Sequence, residues 1–449
     1  MINIASSLKI IHITASYKPA YIYGGPIQSV GKLCEVLSGD KHLAVLKKGI
    51  LRCTQYDKSS VHGDKPGTRD DKCIEVEVIT TTANGKKELD VKTGVPVLVE
   101  GVPVTYFNRW TKDHSHFSPG LLWRLRKEIL RYTEDDKPSI EGNKLNTANQ
   151  ILKGPPRLEG ILPEERHVVH IHAWWNLVSV LSCLIARLYN IPVVLSPRGM
   201  LTSYTLGNRN SISKKLIHKL LGKNLLKYCH IHATSELEKA DILKIVRPKS
   251  IRVIPNLVSL PSKVLGRKYQ EGDSFKLIFL SRIEEKKGLE LLFNALATVD
   301  ISWKLTIAGS GEERYLESLK LLANKLKLSN SIDWVGQVSN EDKYTMMAAH
   351  DLLLLTSYNE NFANVVIESL SVGTPVLISE HVGLADYVKD KALGWVTSLE
   401  TIAIKNNIIS AYQNPDKRQH IGHTAPLIIR EDFNEDVLAK RYLEFYKTI

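Results

Sequence analysis

The sequence of 449 residues lacks the features that mark several other classes of protein. Its five cysteines are scattered, odd in number and without a C-x-x-C pair, which argues against a disulfide framework or a zinc site and favours reduced thiols in the cytoplasm. The longest nearly apolar stretch, residues 176–189, contains Arg187 and is too short to span a bilayer. No secretory signal opens the sequence, since residues 1–17 have the pattern of a first strand. These absences predict a globular cytoplasmic protein.

Charge is unevenly distributed along the chain. Residues 1–263 carry 39 Lys and Arg against 23 Asp and Glu, a net charge of +16, whereas residues 264–449 carry a net charge of −4. A basic half favours an acidic partner, which is either nucleic acid or an anionic membrane surface. No nucleic-acid-binding motif accompanies the charge, so we favour the membrane.

Residues 211–228 form the most basic predicted helix of that half. The segment contains no acid, and its apolar positions oppose five lysines: Lys214, Lys215, Lys219, Lys223 and Lys227. Such a pattern fits an ordinary solvated face or an interfacial membrane helix. Both interpretations stay open from the sequence.

Strand and helix patterns alternate along the chain and predict an α/β protein, which at this length has two domains. Residues 9–15 form an apolar strand, and a loop with Gly24 and Gly25 leads into a helix over residues 27–37. A strand, glycine loop and helix open a doubly wound nucleotide-binding domain, although G-x-G-x-x-G is absent. The two glycines allow close approach of the backbone to a ligand, or simply form a flexible turn.

The predicted domains are residues 1–258 and 259–434, followed by a last helix over residues 435–449. Two polar stretches without periodicity, residues 40–73 and 133–166, interrupt the first domain. Connections in such a domain are short, so both stretches are predicted to be insertions in surface loops or disordered segments.

One strand of the first domain, residues 167–172, ends in histidine. His170 and His172 share a face by alternation, and ligands of open α/β sheets bind beyond the carboxyl ends of strands. Arg198 follows the next predicted strand and lies on a loop at the same edge of the sheet. It is suited to an anionic group of a ligand, or to an ordinary ion pair with an acid.

Residues 356–379 are the stretch around which the second domain is organised. They predict a loop, a short helix, a tight stop and a buried strand. Asn361 or Asn364 can cap the helix, and Gly373 suits the left-handed position just past its end. Free N–H groups at such a helix start attract a phosphate or an oxyanion.

Charged residues flank that helix start. Glu360 precedes the helix and Glu368 lies inside it, and carboxylates accept hydrogen bonds from the vicinal hydroxyls of a sugar or ribose. Upstream, Arg282 and Lys287 flank a turn before another helix, an arrangement suited to a diphosphate. Each feature alone is compatible with ordinary surface charges, but together they suit a phosphorylated sugar ligand.

These segments together resemble the donor site of the retaining family 4 glycosyltransferases of bacterial surface-polysaccharide type. In that family the signature is E-x7-E, which Glu360 and Glu368 match. The resemblance covers nearly the whole chain apart from the two insertions. It implies the GT-B fold, with two Rossmann-like doubly wound domains facing a central cleft and a C-terminal helix that crosses back onto the first domain.

The resemblance also implies an activity: transfer of a sugar from a nucleotide diphosphate sugar to an acceptor hydroxyl, with retention, in polysaccharide or glycolipid biosynthesis. It implies the partners too, a nucleotide sugar and a glycan or lipid-linked acceptor, with peripheral binding to the inner face of the membrane and no nucleic acid. No Asp-x-Asp motif lies in a suitable place, so no cofactor and no metal is expected.

Residue roles follow from the same resemblance. Glu360 is expected to position the hydroxyls of the donor sugar and Glu368 the ribose. The residues implied in catalysis are His172, Arg282, Lys287 and Glu360. The implied donor-binding residues are Gly24, Gly25, Arg282, Lys287, Gly309, Gly336, Glu360, Asn361, Phe362, Ala363 and Glu368. Acceptor binding is assigned to Trp174 and Arg198.

Proteins of other classes remain as alternatives. A sugar-nucleotide epimerase of GT-B architecture would bind the same donor but needs carboxylates placed to eliminate the nucleotide, which the sequence does not identify. A non-catalytic nucleotide-sugar sensor would keep Arg282 and Glu368 without turnover. A nucleic-acid-binding protein would explain the basic half but not the donor constellation.

Overall fold

The computed structural model of the protein divides into two units. The first comprises Met1–Ala233, Lys239–Ile254 and Glu435–Ile449, and the second comprises Thr234–Glu238 and Pro255–Asn434. The residues that the structure describes are 7–39, 74–113, 115–135, 165–202, 222–261 and 274–449. The predicted insertion at 40–73 lies outside these residues, as does nearly all of the one at 133–166.

An eight-stranded sheet forms the centre of the first unit, in the order β10-β9-β8-β7-β1-β2-β6-β5. All neighbours are parallel except β5 and β6, which form an antiparallel hairpin. The strands are β1 (Ser7–Thr14), β2 (Ile74–Thr81), β5 (Pro96–Val99), β6 (Val102–Phe107), β7 (Glu165–His172), β8 (Val193–Ser196), β9 (His230–Ala233) and β10 (Ser250–Val253), and a separate two-stranded ribbon joins β3 (Ala83–Asn84) to β4 (Lys87–Glu88).

Helices cover both faces of this sheet. They are α1 (Gly25–Ser38), α2 (Pro119–Asp135), α3 (Leu177–Leu188), α4 (Lys223–Tyr228), α5 (Glu236–Ile245) and α13 (Glu435–Lys447). On one face, Ile11 and Ile13 of β1 pack with Leu121 and Leu125 of α2 in a large apolar core. Alternation along β1 therefore sends His12 to the opposite face.

The C-terminal helix α13 belongs to the first unit, which confirms the predicted crossover. It packs against α1, where Lys32 and Glu435 form an ion pair of 2.7 Å. Tyr442 and Tyr446, one turn apart on α13, are buried. The helix thus completes the core of the unit that begins more than 400 residues earlier in the chain.

The second unit is built on a six-stranded, wholly parallel sheet in the order β13-β12-β11-β14-β15-β16. Its strands are β11 (Phe275–Leu280), β12 (Trp303–Ala308), β13 (Ile332–Gly336), β14 (Leu352–Leu355), β15 (Val376–Ser379) and β16 (Gly394–Thr397). The central strand β14 is a run of four leucines buried on both faces, as expected where helices cover a parallel sheet on each side.

The helices of the second unit are α6 (Leu289–Leu296), α7 (Glu313–Lys325), α8 (Asp342–Ala348), α9 (Asn364–Ser371), α10 (Ala385–Asp390), α11 (Thr401–Gln413) and α12 (Pro415–Asp432). Two parallel α/β units confirm the predicted fold class. Among the described helices, none is long and apolar enough to cross a membrane.

Several predicted boundaries differ from the structure. Helix α2 continues to Asp135 and β7 begins at Glu165, so both elements extend into the predicted insertion at 133–166. The strands β5 and β6 form a hairpin, and Glu100 and Gly101 both have the positive φ, 50° and 81°, that its two-residue turn requires. Of the basic segment 211–228, only the part from residue 222 onward is described.

Candidate functional site

Two loops of the second unit meet after the neighbouring strands β11 and β14. The loop after β11 ends at Gly288, which has φ of +68° and precedes α6. A Cβ at Gly288 would collide with the carbonyl oxygen of Thr356, the residue that follows β14. The missing side chain lets the two loops touch, and parallel pairing of their strands puts both at the carboxyl edge of the sheet.

An ion pair joins the two loops. Lys287 donates to the carboxylate of Glu360, and the two side chains are only 6% and 19% exposed. The backbone of Glu360 is fixed as well: its N–H donates to the carbonyl of His381 at 3.0 Å, and its carbonyl accepts from the N–H of Gly383 at 2.8 Å. Glu360 is therefore held in place by three separate contacts.

Three cations lie close to the carboxylate of Glu360. Arg282 donates to Glu284 at 2.6 Å, and Lys286 lies 3.6 Å from the same carboxylate. Burial opposes ionisation of Glu360, but the charges of Lys287, Lys286 and Arg282 outweigh it and lower the pKa of its carboxyl. Burial, together with the neighbouring cations, lowers the pKa of the Lys286 ammonium. Arg282, Lys286 and Lys287 thus place three cations close to the Glu360 carboxylate, and positive charges grouped in this way favour a bound anion.

The start of helix α9 differs from the prediction. Neither Asn361 nor Asn364 caps it, because Asn364 is the first helical residue and the N-cap is Ala363, with φ of +68° and no side-chain hydrogen bond. Phe362 before it is buried. The first amides of α9 are thus not satisfied by a capping side chain, and such amides favour an anion.

Glu368 forms a second buried ion pair. It lies on α9, and its Oε1 accepts a hydrogen bond of 2.8 Å from the ammonium of Lys343 on α8. The side chains are 7% and 9% exposed. Lys343 was not predicted from the sequence, since it lies 25 residues before Glu368 and belongs to no motif.

Two glycines bring the ends of β11, β12 and β13 together. The N–H of Gly309 donates to the carbonyl of Gly336 at 2.7 Å. A Cβ at Gly309 would overlap the carbonyl oxygen of Ser281, whereas space is open at Gly336. The predicted donor residues of the second unit thus lie at strand ends or in the loops that follow them, apart from Glu368, which lies inside α9.

The first unit contains a buried chain of hydrogen bonds with a defined direction. The carbonyl of Ile254 accepts from His232 Nε2 at 2.8 Å, so Nδ1 of the neutral ring accepts, and the hydroxyl of Ser196 donates to it at 2.6 Å. Ser196 then accepts from His170 Nε2 at 2.7 Å, and His170 Nδ1 accepts from the hydroxyl of Tyr446 at 2.7 Å. One backbone carbonyl thereby fixes the tautomers of two histidines.

A second chain ends at His12. Arg198 can only donate, so His172 Nδ1, 3.4 Å from Arg198 Nη2, accepts and the proton of His172 lies on Nε2. That atom donates to His12 Nδ1 at 2.9 Å. The proton of His12 is then on Nε2, which is buried and has no hydrogen-bond partner among the described residues.

All four histidines are neutral in this environment. Burial lowers the pKa of His12 and of His232 to about 3, with the charge of Arg198 contributing in both, and it places the pKa values of His170 and His172 well below their usual range. Nitrogens of His12, His170 and His172 lie within 4.8 Å of one another. Both nitrogens of His170 already have partners and Arg198 adds a positive charge, so this cluster favours a hydrogen-bond network over a bound cation.

The other predicted residues of the first unit have varied surroundings. Gly24 is the N-cap of α1 with φ of +68°, and Gly25 is the first residue of that helix. Arg198 has a left-handed φ of 53° and donates to the hydroxyl of Ser29 at 2.8 Å. Trp174 is fully buried in the apolar core, so its predicted contact with an acceptor is not available from a surface of this unit.

His172 is only 1% exposed, and both its nitrogens have protein partners. Contact between this ring and a sugar would require one of those partners to be displaced. Sequence reasoning missed His12, His232 and Tyr446. An H-x-H pattern at 230–232, which repeats the one at 170–172, is the signal that marks His232.

Two family models match the chain. A family model described as "Glycosyl transferases group 1" matches residues 266–427, and one described as "Glycosyl transferase 4-like domain" matches residues 69–257. The two matches together span most of the chain and correspond to most of the second and first units.

Curated relatives carry the same activity class. An uncharacterized glycosyltransferase of Methanocaldococcus jannaschii is 24% identical over 306 residues, which cover 64% of this chain and 77% of that one. Alpha-monoglucosyldiacylglycerol synthase of Streptococcus pneumoniae is 29% identical over 210 residues, covering 46% and 45%. The match thus spans less than half the length of the pneumococcal protein.

Solved structures share the fold. HepE of Anabaena, solved with UDP and glucose, has a TM-score of 0.65 at 16% identity and covers 98% of this chain and 100% of that one. WaaG, a glycosyltransferase involved in lipopolysaccharide biosynthesis, has a TM-score of 0.60 at 13% identity, covering 97% and 99%.

Proposed function

Since the chain belongs to the family 4 glycosyltransferases of the GT-B fold, we propose that it transfers a sugar from a nucleotide diphosphate sugar to an acceptor hydroxyl, with retention. The observation that carries this proposal is the contact of Lys287 with Glu360, with Arg282 and Lys286 beside it and the uncapped start of α9 following. Grouped cations and a fixed carboxylate suit a diphosphate next to a sugar.

Charge development explains how these groups accelerate the reaction. As the bond between the sugar and phosphate lengthens, negative charge grows on the leaving oxygen. Arg282, Lys287 and the backbone amides from residue 361 to the first turn of α9 stabilise that charge, and removing one such donor typically costs about 3–4 kcal/mol of barrier. Basic side chains and helix amides thus do the work that a metal ion performs elsewhere, so we propose that the enzyme needs no metal.

Glu360 positions the sugar rather than attacking it. Its carboxylate is already paired with Lys287, which reduces its availability as a nucleophile. A retaining reaction on one face, in which the leaving phosphate accepts the proton of the acceptor hydroxyl, needs no protein nucleophile. We propose that Arg198 and the backbone at His172, where the neighbouring strand ends, line the binding site of the acceptor.

We propose a polysaccharide or lipid-linked acceptor at an anionic membrane. The names of two relatives refer to a diacylglycerol product and to lipopolysaccharide biosynthesis, which supports acceptors of this class. The charge of +16 over residues 1–263 supports the membrane. So does the outer face of α2, where Trp123 is 61% exposed, Lys127 lies 5.1 Å from the centre of its ring, and Arg126 and Arg131 are also exposed.

A transfer assay tests this function. A panel of nucleotide sugars is first screened by thermal shift, and donors that stabilise the chain are incubated with lipid-linked and soluble glycan acceptors. Mass spectrometry of the product and NMR of the anomeric proton then give the linkage and the stereochemistry. We expect Glu360→Ala chiefly to lower kcat and Glu368→Ala to raise the donor KM, because a ribose contact is equal in ground and transition states. An inverted linkage, or epimerised donor without transfer, would contradict the proposal.

A further inference from the structure

We propose that Lys343 is a positioning residue for nucleotide binding, which holds Glu368 so that its second oxygen receives the ribose hydroxyls of the donor. The inference rests on the proposed function, in which Glu368 binds ribose, and adds to it the residue that makes this contact possible. It concerns the second unit alone.

The contact between the two side chains is specific. The ammonium of Lys343 donates to Oε1 of Glu368 at 2.8 Å, and both residues are nearly excluded from solvent. Oε2 of Glu368 has no hydrogen bond to the described residues. It is accessible rather than sealed inside the protein. One oxygen is fixed and the other is left for a ligand.

The backbone around Glu368 adds to this fixation. Its carbonyl accepts from the hydroxyl of Ser371 at 2.7 Å, and helix α9 packs against α8. Lys343 is restrained in turn: its ammonium lies 4.9 Å from the centre of the Tyr344 ring, whose hydroxyl donates to the carbonyl of Ser259. A charge-assisted hydrogen bond between two restrained groups sets the direction of the free oxygen.

Stability alone is a weak reason for such a pair. Taking two charges out of water costs about as much as their attraction returns, and replacing a buried ion pair by apolar residues is often neutral or stabilising. Apolar side chains in place of this pair would hold α8 and α9 together equally well. A lysine at position 343 is therefore better explained by what it does to the carboxylate: its charge-assisted hydrogen bond fixes Oε1 and thereby the orientation of the whole group.

Discrimination between ribose and deoxyribose provides the test. UDP, GDP and ADP are titrated into the wild-type chain by calorimetry, and the one that binds is compared with its 2′-deoxy and 3′-deoxy forms. We expect the wild type to prefer the ribose form by about tenfold or more, since a hydrogen bond to a charged group has that magnitude. In Lys343→Met the preference should fall below about threefold, with donor KM raised and kcat little changed.

Three further variants remove a merely structural explanation. Lys343→Arg keeps the charge and should restore most of the preference. Lys391→Met removes another ion pair of the same unit, the 3.0 Å contact with Asp432, and should leave the preference unchanged. The double variant Lys343→Met with Glu368→Leu removes both charges, so it is expected to fold even where the single variant unfolds. Its nucleotide affinity should equal that of Glu368→Leu alone.

Failure of the inference is distinguishable from failure of the proposed function. A wild type that binds no nucleoside diphosphate, or binds the ribose and deoxy forms equally, would contradict the assigned role of Glu368 itself. A wild type that discriminates while folded Lys343→Met discriminates equally would overturn the inference and leave the transferase intact. An additional loss in the double variant would also overturn it, because Lys343 would then contact the nucleotide independently of Glu368.

Discussion

At the scale of single residues, Arg282 and Lys287 differ in their surroundings although the sequence assigns them one role. The Arg282 side chain is 40% exposed and its partner Glu284 is 37% exposed, whereas Lys287 and Glu360 are nearly buried. An exposed pair contributes at most about 1 kcal/mol to stability, while breaking a buried pair costs about 3–5 kcal/mol because a charge is left without its partner.

This difference predicts a separation of activity from stability. Arg282→Ala and Lys287→Ala are each expected to lower turnover at least tenfold, but only Lys287→Ala should lower the melting temperature markedly. Steady-state kinetics and calorimetry on the same preparations measure the two effects. Normal turnover in both variants would remove the diphosphate role, and equal melting temperatures would contradict the burial argument.

At the scale of elements, the meeting of the loops after β11 and β14 depends on Gly288. Its positive φ costs an alanine about 1–2 kcal/mol, and the collision with Thr356 would also push the loops apart. Gly288→Ala is therefore expected to lower turnover at least tenfold. Gly101→Ala is the matched control, since Gly101 has a φ of +81° and open space around it. A Gly288→Ala variant with normal turnover would show that this loop contact is not needed.

The four buried, neutral histidines of the first unit predict that its folding stability decreases in acid. An unfolded histidine binds a proton near pH 6.5, whereas folded His12 and His232 do so only near pH 3, so the unfolded state gains protons first and stability falls as pH drops below 6.5. Each such histidine should cost roughly 1 kcal/mol of stability between pH 7 and pH 5.5.

Urea unfolding at pH 7 and pH 5.5 measures this loss. His12→Asn cannot take a proton in this range but keeps an oxygen that accepts from His172, so it should reduce the loss between the two pH values. His423→Asn, at an exposed histidine of α12, should leave it unchanged. Equal pH dependence in wild type and His12→Asn would contradict the buried neutral state.

Elements with a strong local signal were predictable from the sequence. The leucines of β14 and the stop of α9 are examples: Gly373 has φ of +82°, and its N–H donates to the carbonyl of Leu370. The start of α9 was not predictable, because Ala363 adopts a left-handed φ that alanine disfavours and only tertiary contacts impose. Helix α12 contains Pro426 in its interior, which locally argues against a helix.

Some residues of the candidate site were likewise predictable from the sequence and others were not. Arg282, Lys287, Glu360 and Glu368 stand in motifs whose spacing is local, so the sequence singles them out. Lys343 and His12 acquire their partners only through the pairing of distant elements, 25 and 160 residues along the chain. Side-chain chemistry that depends on such pairing leaves no periodic trace in the sequence.

At the scale of the whole molecule, the separation of charge between the two halves predicts binding to an anionic membrane. Basic residues near such a surface contribute roughly 1 kcal/mol each, so the five lysines of residues 211–228 and the basic face of α2 have enough combined attraction to hold the enzyme there. The attraction should weaken with salt, since the Debye length is only about 8 Å at physiological ionic strength. A merely solvated basic surface predicts no preference among lipids.

Sedimentation with liposomes separates these two interpretations. The wild type is expected to sediment with anionic but not neutral liposomes, and less so at high salt. Changing Lys214, Lys215 and Lys219 to Glu should abolish most of this binding, whereas the same change at Lys320, Lys325 and Lys327 alters net charge equally in the other half and should have little effect. Binding that ignores lipid charge, or that both triple variants reduce alike, would contradict a membrane-facing first half. Transfer to a soluble acceptor should persist in either variant, because neither variant changes a residue assigned to donor binding.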